Sequence, residues 1–257
     1  MKAMIFAAGL GTRLRPLTDT CPKALLTIEG RPLLEIVIHR LKHYGFRELV
    51  INVHHLAEQI LEFLAARKNF GLDIQISDET ALLLDTGGAL KAAAALLNDG
   101  RPFLVHNVDI LSEIDVKDFY EWHCRRPYVL ASLAVSRRPS TRCLLFDREQ
   151  RLCGWRHRKS KETIWAKTCP EDVQELAFSG VHVIDPKIFS YLPEKKVFSI
   201  IDVYLQAAGS EAIVAYPHEH RLWLDVGKTT QLKRAREILM EIEARQGKCT
   251  PGERRRL

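Results

Sequence analysis

The stretch FAAGLGTRLRPLTDTCPKALL, residues 6–26, runs from an apolar strand into a loop holding Gly9, Gly11, Arg13, Pro16, Pro22 and Lys23. A strand that ends in Gly9-Leu10-Gly11-Thr12-Arg13 turns successive backbone N–H groups around a concavity, and such a nest suits phosphate oxygens. Glycine permits the dihedrals and the close approach this requires. Two glycines alone serve equally well as a tight structural turn. The cations that follow change the reading. The Arg13 fork can take two phosphate oxygens at once, and Lys23 adds a mobile point charge. Pro16 and Pro22 hold φ and keep the preceding residues extended. Both cations can then converge on one polyphosphate and stabilise charge as it builds on transferring and leaving groups.

Two familiar phosphate motifs fail. The loop does not fit G-x-x-x-x-G-K-[ST], and Leu14 stands where G-x-G-x-x-G needs its third glycine. VINVHH, the end of the second strand, closes on Asn52 and histidines where a dinucleotide fold wants an acid. Two aspartates far apart in sequence are more informative. Asp109 ends the apolar run in LVHNVDIL, and Asp225 does the same in HRLWLDVGKTTQL. Either alone serves as readily as a turn or helix cap. At the carboxyl ends of parallel strands, however, the pair could meet beside the glycine loop. There they could hold Mg²⁺ against phosphate oxygens, with water completing the octahedron. LDTGGAL, 84–90, places Thr86, Gly87 and Gly88 before a helix, which suits either backbone contact with a base edge or a plain helix start. His54 and His55 have no third ligand at sensible spacing and read as loop histidines. Trp155 and Trp165 read as packing partners across strands.

The elements that must position these groups alternate over the first 110 residues. Strands are expected at 2–8, at ELVINV (48–53), at DIQISDE and at PFLVHNVDIL. Between them lie helices at LLEIVIHRLKHY, with Pro32 at its start and Gly45 at its stop, at HHLAEQILEFLAARKNFG and at TGGALKAAAALLNDG. This alternation argues for a parallel sheet covered on both faces. Beyond it, YVLASLAVS (128–136), CLLFD, RLCGW and ETIWAK are short strands expected to form added antiparallel structure around a hairpin. FSGVHVID (178–185), a helix near 199–208, EAIVAYPH and an amphipathic helix over about 228–245 complete the chain.

Length, 257 residues, suits one domain over 1–245, with a change of pattern at about 110, then a mobile basic tail (246–257). Hydrophobic residues make up 46%, enough for a self-sufficient core. Arg254, Arg255 and Arg256 supply half of the net charge of +6, so small anions are expected as partners before nucleic acid. Six scattered cysteines without C-x-x-C spacing fit a reduced cytoplasmic protein, and no run is long enough for a membrane span.

The loop carries a resemblance. GLGTRLRPLTDTCPKALL resembles the signature G-x-G-T-R-[LM]-x-P-L-T-x(4)-P-K-x-L of the sugar-1-phosphate nucleotidyltransferases, and the likeness extends over about 1–240, weakening between 137 and 175. Among subfamilies, the short chain resembles the N-acetylmuramate-1-phosphate uridylyltransferases and the short mannose-1-phosphate guanylyltransferases. The resemblance implies a Rossmann-like, GT-A-like α/β fold, with a mixed, mainly parallel sheet, helices on both faces and a small antiparallel hairpin insertion, and it makes 1–110 a nucleotide-binding part and 111–245 a sugar-binding part of the one domain. It implies transfer of a nucleoside monophosphate from a nucleoside triphosphate, UTP or GTP, to a sugar 1-phosphate, with Mg²⁺ as cofactor, in a monomer or homodimer that binds neither nucleic acid nor membrane.

Residue by residue, the resemblance makes Arg13 the grip on the β/γ phosphates and Lys23 the contact at the reacting centre. Ala8, Gly9, Leu10, Gly11 and Thr12 would cradle the triphosphate. Asp109 and Asp225 match the metal-binding aspartates, although Val108 stands where glycine is usual. Asp85, Thr86, Gly87 and Gly88 match a base-contacting E-T-G-G-A. Ser179 and Gly180 would face the sugar, and Asn107 the ribose or sugar. The E-K-P that holds the sugar phosphate in many relatives is missing. Arg156, Arg158 or Lys159 could substitute for it, and a solvated basic turn is equally open. A non-catalytic nucleotide-sugar-binding homologue is the alternative.

Overall fold

Successive residues of the first strand point opposite ways, and both ways are apolar. Ala3 and Ile5 enter one buried cluster while Met4 enters another. A strand buried on both faces belongs in the middle of a helix-covered sheet. The computed structural model, which describes residues 1–166, 172–219 and 221–248, places β1 (Lys2–Phe6) there. The ribbon β2 (Thr27–Ile28) and β3 (Arg31–Pro32) follows, then α1 (Leu33–His43), β4 (Glu48–Val53), α2 (Ala57–Ala66) and β5 (Asp73–Asp78). Next come α3 (Asp85–Ala92), α4 (Ala94–Leu97), β6 (Phe103–Asn107), β7 (Ile110–Ser112), α5 (Val116–Cys124) and β8 (Val129–Ser136). The chain continues through β9 (Arg142–Phe146), β10 (Leu152–His157), β11 (Glu162–Trp165) and β12 (Gln174–Ile184). It closes with α6 (Ile200–Ala207), β13 (Ala212–Pro217), β14 (Trp223–Asp225) and α7 (Leu232–Lys248).

The main sheet runs β5-β4-β1-β6-β12-β8-β13. The pairs among β5, β4, β1 and β6 are parallel, as is β8 with β13, while β12 is antiparallel to both neighbours. Helices α1, α2, α5 and α7 cover one face, and α3, α4 and α6 the other. The mixed, mainly parallel sheet with two covered faces agrees with the sequence. The meander β9-β10-β11 hangs from the first residues of β12 and forms the antiparallel insertion.

Several expectations are corrected. The strand 128–136 is no part of the insertion, because β8 lies inside the main sheet between β12 and β13. The second helix stops at Ala66, since Lys68, Asn69 and Phe70 take left-handed backbone angles that an α-helix cannot continue through. The strand expected over 102–111 breaks at Val108-Asp109, and β7 turns away to pair antiparallel with β14. Helix α7 starts at Leu232 and passes 245 to Lys248, and the remainder of the expected tail lies outside the described residues. Trp155 pairs with Ile164 and Trp165 with Gly154, so the two indoles are not cross-strand partners. Cys21, Cys124, Cys143 and Cys153 form no disulfide among the described residues. No helix among the described residues is long and apolar enough to cross a membrane.

Candidate functional site

Parallel strands bring their carboxyl ends to one edge, and polar residues collect there. Asn52 ends the inner part of β4, Glu79 follows β5 and Asn107 ends β6. Together with Ala8, Gly9, Lys23, Asp85, Thr86 and Asp109 they line a cavity of about 410 Å³.

The glycine loop forms the mouth of this cavity. Gly11 has φ +62°, and a Cβ there would lie 2.7 Å from Thr18 Cγ2, so only glycine fits without strain. The Thr18 hydroxyl donates to the Gly11 carbonyl at 3.0 Å and closes the loop onto the Pro22–Lys23 turn. Leu14 is fully buried and anchors the far end, while Gly9, Leu10, Thr12 and Arg13 are exposed. The backbone amides of residues 9–13 donate to no acceptor among the described residues. They are the donors a bound anion would use.

Lys23 follows Pro22 in a short 3-10 turn and is 8% exposed. Its ammonium is ion-paired with Asp109 Oδ2. Asp225 joins them through the β7–β14 ladder. Its carboxyl is pushed above the ordinary carboxylate range, first by burial and then by the charge of Asp109, with Lys23 and Arg13 pulling the other way. Asp225 Oδ1 is buried and without a hydrogen-bond partner. A Cβ on Gly227 would lie 2.8 Å from that oxygen and 2.9 Å from Arg13 Nη2, so the guanidinium and the carboxylate both border this glycine. Arg13, Lys23, Asp109 and Asp225 therefore meet at one place.

Two residues of the expected base-contacting segment have their amides engaged within the protein. The amides of Gly87 and Gly88 both donate to the Phe198 carbonyl, at 2.9 and 3.2 Å. Their missing side chains admit the 196–198 segment, since a Cβ on Gly88 would collide with the Lys196 carbonyl. These glycines serve packing, and their donors are already used. Asp85 and Thr86 do face the cavity, with the Thr86 hydroxyl accepting from the Ile200 amide at 3.0 Å.

Asn52 and Glu79 escaped the sequence reading as site residues. Asn52 Oδ1 accepts from the Ala7 amide at 2.7 Å, and its Nδ2 donates to Glu79 Oε1 at 2.7 Å. Glu79 Oε2 accepts from the Leu84 amide at 3.3 Å, and burial raises its pKa. One network thus ties the start of the glycine loop to the segment leading into Asp85 and Thr86. A polar residue closing each parallel strand was the available signal. His54 belongs to the same fabric, with Nδ1 2.6 Å from the Glu79 carbonyl oxygen.

On the sugar side, Gly180 (φ +74°) sits at a bulge in β12 and packs against the Asn107 amide group. Ser179 is fully buried, its Oγ 2.6 Å from His218 Nε2, so its side chain is committed inside the protein. Arg156 is not a free cation. Its Nη1 donates to Glu175 Oε1 at 2.5 Å and its Nε to Thr163 Oγ1 at 3.0 Å.

Comparison with known proteins agrees with this architecture. The family model described as nucleotidyl transferase matches residues 2–241. An N-acetylmuramate alpha-1-phosphate uridylyltransferase of Neisseria meningitidis is 35% identical over 246 residues, covering 93% of this chain and 98% of that protein. One from Caulobacter vibrioides is 31% identical, covering 88% and 91%. Among solved structures, the inositol-1-phosphate CTP transferase from T. maritima superposes with a TM-score of 0.75 at 16% identity, covering 94% of this chain and 96% of that one. A UDP-glucose pyrophosphorylase complexed with UDP-glucose does so at 0.72 and 20%, covering 93% and 98%. These last two show the fold.

Proposed function

Since the chain belongs to the nucleotidyl transferase family, we propose that it transfers a uridylyl group from UTP to N-acetylmuramate 1-phosphate, giving the nucleotide sugar and pyrophosphate. The choice of base and sugar is supported by the two relatives that match nearly end to end. A phosphate oxygen of the sugar 1-phosphate attacks the α-phosphorus, and the bond to the β-phosphate oxygen breaks as pyrophosphate leaves. The nucleophile is already an anion, so no general base is needed. Rate comes from in-line positioning and from neutralising charge on the leaving group.

The convergence of Arg13, Lys23, Asp109 and Asp225 at the free amides of the glycine loop carries this reading. Arg13 and the loop amides bind the departing β and γ phosphates, and Lys23 sits where the reacting phosphates meet. Asp109 and Asp225 fit a divalent cation such as Mg²⁺, because one of the two crowded carboxylates keeps an orphaned buried oxygen, and Lys23 and Arg13 offset their charge only in part. Mg²⁺ prefers one or two carboxylates plus phosphate and water oxygens, and it would supply Lewis-acid neutralisation of the phosphates.

The test is pyrophosphate release across a matrix of UTP, GTP, dTTP and CTP against N-acetylmuramate, mannose, glucose and N-acetylglucosamine 1-phosphates. UTP with N-acetylmuramate 1-phosphate is expected to lead. Release from a different pair would move the substrate assignment, and none from any pair would overturn the activity.

A further inference from the structure

The sugar side of the site lacks an evident cation. Glu175 takes both arginines of the insertion, Arg156 through Oε1 and Arg158 through Oε2 at 2.8 Å, and Lys159 is exposed in the turn. Arg138, just past the end of β8, is placed differently. Its guanidinium lies 3.7 Å from the centroid of the Trp223 ring, and Nη2 donates to the Phe178 carbonyl at 2.6 Å. Nε is buried and has no hydrogen-bond partner. No carboxylate among the described residues forms an ion pair with it, and Asp225 is the acid whose charge it feels most.

The residues holding Arg138 also frame the reacting centre. Trp223 lies two residues before Asp225 on β14, and its Nε1 donates to the Ser179 carbonyl at 2.9 Å. Phe178 and Ser179 lead into Gly180, which packs on Asn107. Next to Arg138 opens a cleft of about 550 Å³, where, among the described residues, Arg137, Arg138 and Arg158 face Glu175 as the one acid. A guanidinium clamped on an indole, partly desolvated, without an ion-paired carboxylate among the described residues and with Nε short of an acceptor, is arranged for an anion from outside.

We infer that Arg138 binds an oxyanion of the incoming sugar, at a sugar-side subsite formed with Trp223 and the 178–180 segment. This rests on the nucleotidyl-transfer reading and extends it, because it supplies the cation that a missing E-K-P leaves unassigned. The oxyanion is either the 1-phosphate or a carboxylate carried by a sugar acid.

The experiment compares wild type, Arg138→Gln and Arg138→Lys in two assays. Steady-state kinetics gives KM for UTP and for each of two sugars, N-acetylmuramate 1-phosphate and the acid-free N-acetylglucosamine 1-phosphate. Calorimetric titration of the same two sugar phosphates gives Kd without turnover. Arg138→Gln is expected to raise the sugar KM and Kd at least about tenfold while KM for UTP stays within about twofold, with Arg138→Lys in between because it keeps the charge and loses the fork. Equal losses for both sugars identify the 1-phosphate as the ligand, and a loss confined to the muramate compound identifies the carboxylate. Unchanged sugar constants, or a matching rise for UTP, would overturn the inference in favour of a purely structural arginine. If wild type binds the sugars but releases no pyrophosphate, nucleotidyl transfer fails while the titration still decides Arg138. If wild type binds neither sugar, both fail.

Discussion

The amide of Val226 donates to the carbonyl oxygen of Asp109 at 2.8 Å, one residue past the register pair Asp225–Ile110. Two carboxylates from distant parts of the chain are thus fixed by backbone hydrogen bonds and cannot separate to relieve their repulsion. Burial and Asp109 both work against ionised Asp225, and Lys23 and Arg13 offset them in part. The arrangement carries an electrostatic cost, as expected of the cation site proposed above.

That cost has a sign for each partner. Removing the Asp225 charge relieves a penalty that is present at neutral pH, since its folded pKa is raised. Asp225→Asn is therefore expected to unfold at a higher temperature than wild type in chelator, by about 2–4 °C per kcal/mol relieved. Asp109→Asn strands the Lys23 ammonium in a largely buried position and is expected to lower the midpoint. Both should lose turnover by at least about a hundredfold. Calorimetry of the two proteins in chelator checks the opposite signs, and a lowered midpoint for Asp225→Asn would count against the crowding argument.

Gly227 and Gly88 should fail in different ways when changed to alanine. At Gly227 the new methyl meets the Asp225 carboxylate and the end of the Arg13 side chain, which is flexible and exposed. The fold should survive, with Arg13 displaced and kcat/KM down more than about tenfold. At Gly88 the methyl meets the Lys196 backbone, which cannot yield without moving the 196–198 segment. Stability should fall by about 1–3 kcal/mol, as for overpacked sites. Urea unfolding alongside activity separates the two cases.

Much of the site was legible because it is written locally. Loop glycines, prolines and cations lie within 18 residues of Arg13, and Asp109 and Asp225 each end an apolar run. The main strands were legible as runs buried on both faces. What each strand pairs with was not, because β8 and the strands of the insertion share one apolar pattern, and only the long β12 sorts them. How Gly87, Gly88, Ser179 and Arg156 are held was not legible for a related reason. Their sequence context suits ligand contact, but their partners Phe198, His218 and Glu175 come from remote segments that no local pattern specifies. Asn52 and Arg138 were missed because a polar side chain discloses its importance only through what it touches.

Asn52 offers a check on the network joining the loop to the segment leading into Asp85 and Thr86. Asn52→Ala removes the acceptor of the Ala7 amide and a donor to Glu79, leaving buried polar groups unsatisfied. The expected stability loss is about 1–3 kcal/mol. KM for the nucleotide should rise while KM for the sugar phosphate does not, because Ala7 leads directly into the glycine loop. Chemical denaturation and two-substrate kinetics measure the two effects, and an equal rise for both substrates would place Asn52 outside the nucleotide subsite.

Acid sensitivity follows from four buried histidines. His106, His123 and His218 are lowered to about 4 and His182 to about 3, in each case chiefly by burial, against an ordinary value of 6.5. A base with a depressed folded pKa stays neutral in the native protein while the unfolded chain takes up its proton. Stability is therefore full above about 6.5 and falls as pH drops toward 4, by up to about 1.4 kcal/mol per pH unit for each histidine. His182 faces the Tyr204 hydroxyl at 2.6 Å, and His123 faces the Ser132 hydroxyl at 2.7 Å, so neither has a carboxylate hydrogen-bonded to it to offset the charge. The unfolding midpoint should decline steeply between pH 6.5 and 4.5, whereas a carboxylate-driven transition would set in only below that range. His123→Gln can keep a hydrogen bond to Ser132 without titrating, and it should flatten the decline. A variant as acid-sensitive as wild type would show that His123 takes its proton in the folded state and contributes nothing to the slope.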